Sequence, residues 1–300
     1  MNMPEIRLLQ PGDEAALEAF LRPHVESSMF LIGNMRSAGL VDHGQPYQGT
    51  YAAAFDGGQI VGVVAHYWNR VLVFQSPDHL DALWRKAVAV SKRPVEGLIG
   101  PDDQVGAVMA KLDIKRSSVQ VDEASKLYSL DLGHMAILDA LTSGAVRGRR
   151  IQPRDVDLVT EWRVAYNIEL LGETDGPQLR EECRAGIQRS LEEGRTWVLE
   201  CQRQLVSCSS FNTAIKEAVQ VGGVYTPPEL RRRGYGRAVV AASLLDARAE
   251  GAEKAILFTG VDNIAAQRAY EALGFRHIDN YRMVLLRSPL RASQQNVNGS

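Results

Sequence analysis

A four-residue pattern, Gln-Pro-x-Asp, recurs at a distance of nearly half the chain. Gln10-Pro11-Gly12-Asp13 follows the short apolar stretch Ile6 to Leu9 and precedes EAALEAFL; Gln152-Pro153-Arg154-Asp155 follows Arg150-Ile151 and precedes VDLVTEWRVAY. Each copy stands where a strand pattern gives way to an amphipathic helix pattern. The copies lie 142 residues apart in a chain of 300. A domain-sized offset with matching context predicts two related domains, 1–145 and 146–300. With 45% hydrophobic and 23% charged residues, the chain has the composition of a folded protein and the length for two cores.

The patterns in both halves mix strands and helices. In the first half, Asp13 is positioned to cap the helix after it, and Pro23 to end or bend that helix. Residues 49–56 and 59–67 read as strands joined by a Gly57-Gly58 hairpin. A strand at 71–74 and helices over 79–90 and 104–112 follow. The second half reads as helices from 156 and over 177–192, then strands over 196–201, 204–211 and 218–226. A helix then runs to Gly251, followed by a strand at 255–259, a helix opening at Asn263 and ending near Gly274, and a last strand at 281–286. From Ser288 the sequence turns polar and predicts a frayed end. The fold class expected is α/β (α+β), with a mixed central sheet in each of two tandem domains.

Several functions are disfavoured. Lys plus Arg is 34 and Asp plus Glu is 36, a net charge of -2, so no global field attracts nucleic acid. Three cysteines (Cys183, Cys201 and Cys208) give neither a disulfide framework nor a zinc pattern, and six scattered histidines give no helical metal motif. The opening residues lack a basic stretch followed by an apolar run, and no stretch has the roughly 18–20 apolar residues of a membrane span. The expectation is a cytoplasmic protein, monomer or homodimer, with no metal, no membrane and no nucleic-acid partner.

The segment Val224-Tyr225-Thr226-Pro227-Pro228-Glu229-Leu230-Arg231-Arg232-Arg233-Gly234-Tyr235-Gly236-Arg237 carries the strongest chemical signal. A strand enters a turn and a helix starts. Gly234 and Gly236 remove side chains where a ligand approaches the backbone, and the amides of a helix start suit a phosphate or pyrophosphate. The arginines add attraction for a polyanion.

This segment resembles the acyl-CoA motif of the GCN5-related N-acetyltransferase (GNAT) superfamily, Gln/Arg-x-x-Gly-x-Gly/Ala, here Arg231 to Gly236. The wording GGVYTPPELRRRGYG is also similar to the glycine N-acyltransferase-like branch. A second stretch, Asp262-Asn263-Ile264-Ala265-Ala266-Gln267-Arg268-Ala269-Tyr270-Glu271-Ala272-Leu273-Gly274-Phe275, fits the same superfamily. The resemblance covers about 149–287. It implies that amides around Arg232 to Arg237 hold the pyrophosphate of acetyl-CoA and that amides near Val224, Tyr225 and Thr226 hold the acyl carbonyl. Asn263 would meet the pantetheine arm, and Tyr270 would protonate the leaving thiolate. The expected reaction is direct transfer from acetyl-CoA to a small-molecule amine, an amino acid or a peptide. A non-catalytic acyl-CoA-binding regulator and an O-acetyltransferase are the alternatives.

The general base departs from the superfamily pattern. Where some members carry Glu, this chain has Gln220, which cannot act as a carboxylate. Glu217 is the nearest substitute, and Glu169, Glu173 and Tyr225 are further candidates. Cys208 as a nucleophile lacks a local His-Asp arrangement and reads as core. The first half has no Arg-x-x-Gly-x-Gly. Its distant counterpart is LIGPDDQVGAVMAKL at 98–112, so a degenerate first domain is expected, supporting the active half and helping wall the acceptor cleft through Trp68, His66 and Tyr67.

Overall fold

The computed structural model describes residues 4–290. They fall into two compact units: residues up to Lys126 together with those from Asp279 onward, and Leu127–Ile278. Among the described residues no helix is long and apolar enough to cross a membrane.

The first unit contains β1 (Glu5–Leu8), α1 (Glu14–Leu21), α2 (Val25–Ala38), β2 (Gly49–Asp56), β3 (Gln59–Tyr67), β4 (Val71–Gln75), α3 (Leu80–Ser91), β5 (Val95–Pro101) and α4 (Asp102–Lys111). Next comes β6 (Val119–Asp131), whose residues from Leu127 onward belong to the second unit. That unit continues with α5 (Asp139–Thr142), β7 (Arg147–Arg150), α6 (Val156–Leu171), α7 (Pro177–Glu192), β8 (Thr196–Cys201), β9 (Gln204–Ala214), β10 (Ala218–Tyr225), α8 (Tyr235–Ala249), β11 (Lys254–Gly260) and α9 (Ile264–Glu271). The last strand, β12 (Arg276–Leu290), pairs antiparallel with β5 and so completes the sheet of the first unit.

Each sheet is mixed. In the first unit the order is β1-β2-β3-β4-β5-β12, with β4 and β5 parallel and the other pairs antiparallel. In the second it is β7-β8-β9-β10-β11-β6, with β10 and β11 parallel. The order β-α-α-β-β-β-α-β-α therefore occurs twice. In the second unit α8 packs Val239, Val240 and Leu244 against Trp197, Val219 and Val221 on one face of the sheet. On the other face α6 and α7 place Val159, Trp162 and Ile187 against Val198, Cys208 and Tyr225. Trp197 donates through Nε1 to Asp246 at 2.7 Å, fixing α8 along β8.

The repeated tetrapeptide performs the same task twice. Arg7 donates two hydrogen bonds to Asp13, at 2.7 and 2.8 Å, and the Gln10 amide donates a third at 2.9 Å. Arg149 does the same to Asp155, at 2.6 and 3.1 Å, with the Gln152 amide at 2.7 Å. Asp13 therefore does not cap α1 with its side chain, as its position suggested. The guanidinium on the preceding strand draws the carboxylate backward, because a paired charge is worth more there than one helix amide.

Other differences are local. The hairpin glycines Gly57 and Gly58 have φ of 56° and 81°, as a two-residue turn requires. The chain breaks into units after Lys126 and Ile278, whereas the sequence suggested a single break at 145/146. β12 runs on to Leu290, past the Ser288 where fraying was expected, and the remainder of that expectation lies outside the described residues.

Candidate active site

β10 and β11 are joined only at their starts. Ala218, Val219 and Gln220 pair with Lys254, Ala255 and Ile256, and the ladder ends there. Val221–Tyr225 and Leu257–Gly260 continue without pairing to each other, which leaves a wedge lined by backbone. Two irregularities on the β9 side bend β10 away: an extra residue on β9 opposite Gln220/Val221, then an extra residue on β10 between Gly222 and Tyr225. Gly223 occupies the second bulge with φ of 58°. A Cβ there would overlap the Arg163 guanidinium, with Nη1 at 2.9 Å, and one on Gly222 would overlap the Asn212 carboxamide. Alternate backbone amides of this stretch face the wedge, where a strand partner would normally take them.

The strand leads into the arginine loop. Ser207 Oγ lies 2.9 Å from Thr226 Oγ1 and donates to the Tyr225 carbonyl at 2.9 Å, bracing the exit from β10. Arg232 and Gly234 have φ of 63° and 79° and turn the chain into α8. The Ala238 amide is the first to find a helical acceptor, at Gly234, so the amides of Tyr235, Gly236 and Arg237 remain for a ligand. A Cβ on Gly236 would sit 3.4 Å from Thr226 Oγ1, filling the space above these amides. Arg237 also buries an unpartnered Nε. Open amides, a positive helix end and a cradle free of side chains fit a pyrophosphate.

The three loop arginines differ. Arg232 and Arg233 are exposed. Arg231 holds both oxygens of Glu169 at 2.8 and 2.6 Å, donates through Nε to the Thr226 carbonyl at 2.9 Å, and lies over the Tyr225 ring. It ties the loop to the C-terminal part of α6. The hydrogen bonds from Arg231 hold the Glu169 carboxyl below its ordinary range.

α9 forms the far side. Asn263 accepts the Ala266 amide at 3.1 Å and caps the helix, leaving its side-chain NH2 free of that role. Tyr270, half-buried, packs edge-on against Phe275, 5.9 Å between centroids. Burial raises its phenol far above the ordinary value, and the nearby Tyr166 phenol on α6 raises it further. Tyr166 carries the Arg163 guanidinium on its face at 5.2 Å. Arg163, Tyr166, Cys208, Gly223 and Tyr225 pack together beneath α6.

The structure brings Val224 to Thr226, Arg231 to Arg237, Asn263 and Tyr270 to the wedge and its loop. It does not bring Glu217. That residue sits in the turn before β10, where its carbonyl accepts the amides of Glu253 and Lys254. At about 3.3 Å per strand residue it is about 20 Å along the strand from Gly223. Gln220, 2% exposed, lies at the closed end of the ladder. Glu173, in the connection between α6 and α7, is the carboxyl whose properties suit a base. Burial and the Glu182 charge raise it above its ordinary range, against a hydrogen bond from Asn167 at 3.4 Å. Cys208 is no nucleophile: burial pushes its thiol up to about 11. His277 lies on β12 against Tyr128. Among the described residues no cluster of His, Cys, Asp or Glu forms a metal site. Sequence reading missed Arg163 and Tyr166, although their i, i+3 spacing on α6 places both on one helix face.

The corresponding place in the first unit is built differently. The counterpart of the arginine loop is the short link 76–79 between β4 and α3. LIGPDDQVGAVMAKL instead forms the β5-to-α4 junction, the equivalent of β11 to α9. The link has no glycine, and Asp78 and Asp81 stand where phosphate would need positive potential. The Phe74 side chain packs against Gly100, and the Ser76 amide donates to Gln104 Oε1 at 2.8 Å. His66 and Tyr67 are buried, and Tyr67 shares a 2.8 Å hydrogen bond with Tyr51, while Trp68 stacks on Tyr47 and Tyr67.

The model of the "Acetyltransferase (GNAT) family" matches residues 157–275, which span the wedge, the loop and α9. Fold and site are those of a GNAT-type acyltransferase domain. That domain occupies residues 157–275, within the second unit. A search of curated protein sequences returns no match. Solved structures share the whole two-unit architecture at low identity. A Drosophila protein is 12% identical with a TM-score of 0.66, covering 94% of this chain and 98% of its own. A GCN5-related N-acetyltransferase from Sphaerobacter thermophilus is 11% identical with a TM-score of 0.57, covering 96% of each chain. A tandem GNAT protein from the clavulanic acid biosynthesis pathway is 15% identical with a TM-score of 0.54, covering 95% of this chain and 99% of its own. The resemblance to the glycine N-acyltransferase-like branch rests on the sequence wording alone.

Proposed function

We propose that the second unit is an acetyl-CoA-dependent N-acetyltransferase that transfers directly to a small primary amine, an amino acid or a peptide. The observation that carries this reading is the β10–β11 wedge, open from Val221 and continuous with the free amides of Tyr235 to Arg237. Those amides with Arg232, Arg233 and Arg237 would hold the pyrophosphate. The edge of β10 from Val224 to Thr226 would hold the acyl carbonyl, and Asn263 would hold the arm between them. Acetyl-CoA supplies an activated acyl carbon when bound.

The chain's own groups handle the protons. Glu173 takes a proton from the acceptor ammonium, and the neutral amine then attacks. As the C–N bond forms and the C–S bond breaks, Tyr270 gives its proton to the sulfur; the nitrogen then releases its second proton through water to the Tyr270 phenolate, and Glu173 passes the first proton to solvent. Burial keeps Tyr270 protonated at neutral pH, the state a donor requires. β10 amides facing the carbonyl stabilise the negative charge that develops on its oxygen. The first unit, with a link that lacks glycine and a Ser76 amide already bonded to Gln104, retains the architecture without a donor site.

The test is incubation of the full chain with acetyl-CoA and a mixed amine pool, following thiol release and product mass. Acceptor-dependent release with a product heavier by one acetyl group on nitrogen supports the reading. Tight acetyl-CoA binding without product from amines, hydroxyl acceptors or longer acyl donors would make the protein a binder instead.

A further inference from the structure

Several arginines around the site answer a carboxylate. Arg180 meets Glu161 and Asp175, Arg184 meets Asp157, and Arg231 meets Glu169. Arg163 does not. Among the described residues it has neither an ion pair nor a hydrogen-bond partner, and its polar contact is the face of Tyr166. It is half-buried on α6, and its guanidinium lies against the bulge of β10, in the space that a Cβ on Gly223 would take. A guanidinium drawn partly out of water without a counter-charge costs free energy, and its long stem would let it reach solvent elsewhere. Its position makes sense when the counter-charge arrives with a ligand.

We propose that Arg163 anchors a carboxylate of the acyl acceptor, so the acceptor is a free amino acid with its carboxylate close to the amine, not a simple amine or a peptide amino terminus. The inference rests on the acetyltransferase reading above. Gly223 lies in the open stretch of β10, about 10 Å along the strand from Thr226, so Arg163 stands at the acyl end of the wedge rather than the pyrophosphate end. Glu173, in the connection that leaves α6, provides the opposite charge: it and Arg163 both act on the Cys183 thiol, the cation lowering and the carboxyl raising it. One cation and one carboxyl match the carboxylate and ammonium of an amino acid. A guanidinium pairs with a carboxylate through two parallel hydrogen bonds; the amide that follows a peptide's first residue offers one neutral acceptor.

The experiment compares matched acceptors: common amino acids, their carboxamides and the amines left after decarboxylation. Thiol release from acetyl-CoA reports turnover, and saturation-transfer NMR reports binding to the full chain with CoA present. The wild type should favour the acid over its amide by about 100-fold in kcat/KM. Arg163→Gln should lose that preference while retaining acetyl-CoA binding and its activity on the decarboxylated amines. Arg163→Lys should restore part of it, which separates charge from folding. Equal handling of acid, amide and amine by the wild type overturns the proposal, as does a preference that survives Arg163→Gln. Acids that bind through Arg163 without thiol release would leave the carboxylate site standing and sink the transferase reading. Turnover confined to amines would do the reverse.

Discussion

Tyr270 and Glu173 are both raised by burial, and the consequence is opposite for each. For Tyr270 a raised value keeps the proton on a group needed as an acid. Tyr270→Phe should lower kcat by about 100-fold with little change in donor affinity, because the ring still packs on Phe275 while the proton donor is gone. Single-turnover kinetics with acetyl-CoA checks this, and an unchanged chemical step would remove Tyr270 from the mechanism. For Glu173 the active form is deprotonated. Raising its pKa above the ordinary carboxyl value shifts the loss of activity on acidification toward higher pH. Glu173→Gln should therefore abolish that acid limb as well as lower the rate; a pH profile whose acid limb is the same in the variant would assign the base elsewhere. The sequence put Glu217 first, with Glu169, Glu173 and Tyr225 behind it. Position along β10 removes the first and the Arg231 pair occupies the second.

At the scale of elements, the turn between β10 and α8 was legible because its chemistry is local. Glycines and arginines at fixed offsets announce a helix start that accepts an anion. The wedge was not legible, since it depends on where the β10–β11 ladder stops, and strand pairing between distant segments leaves no periodic mark. β6 was missed for a related reason: in VQVDEASKLYSLD the polar Glu123 and Ser125 stand on the face that Val119, Val121 and Leu127 share, which breaks the apolar alternation. The loop carries its own test. Gly236 has room for a methyl group at van der Waals distance from Thr226, so Gly236→Ala should fold normally. The methyl would occupy the cradle over the free amides and weaken acetyl-CoA binding by about 10-fold. Calorimetric titration and a thermal melt measure the two effects separately. A parallel loss of stability would mean that the glycine serves packing instead.

Across the whole molecule, the Gln-Pro-x-Asp repeat marks a duplication of architecture whose two copies have diverged in how deeply they bury the same ion pair. The Asp155 side chain is 5% exposed and Arg149 14%, against 18% for Asp13 and 37% for Arg7. Removing the carboxylate from the deeper pair leaves a largely buried guanidinium, so Asp155→Asn should cost about 3 kcal/mol, and Asp13→Asn about 1 kcal/mol because water screens the shallower pair. Both carboxyls are held below their ordinary range. For Asp13 the Arg7 hydrogen bonds do this; for Asp155 burial pushes the value up, and the bonds from Arg149 and the Gln152 amide outweigh it. A lowered folded value stabilises above the unfolded carboxyl pKa of about 4 and is lost as pH falls through the folded value. The difference between each variant and wild type in urea denaturation should therefore be full at neutral pH and shrink in acid. Divergence at the loop is sharper still, since the first unit's link has no glycine, carries Asp78, and has its Ser76 amide already bonded to Gln104. Calorimetric titration of the intact chain should accordingly saturate at a single equivalent of acetyl-CoA. Blocking the second unit's cradle with Gly236→Val should abolish the heat signal without exposing a second, weaker class of site. Two equivalents, or binding that survives the block, would show that the first unit has kept a donor site despite its acidic, glycine-free link.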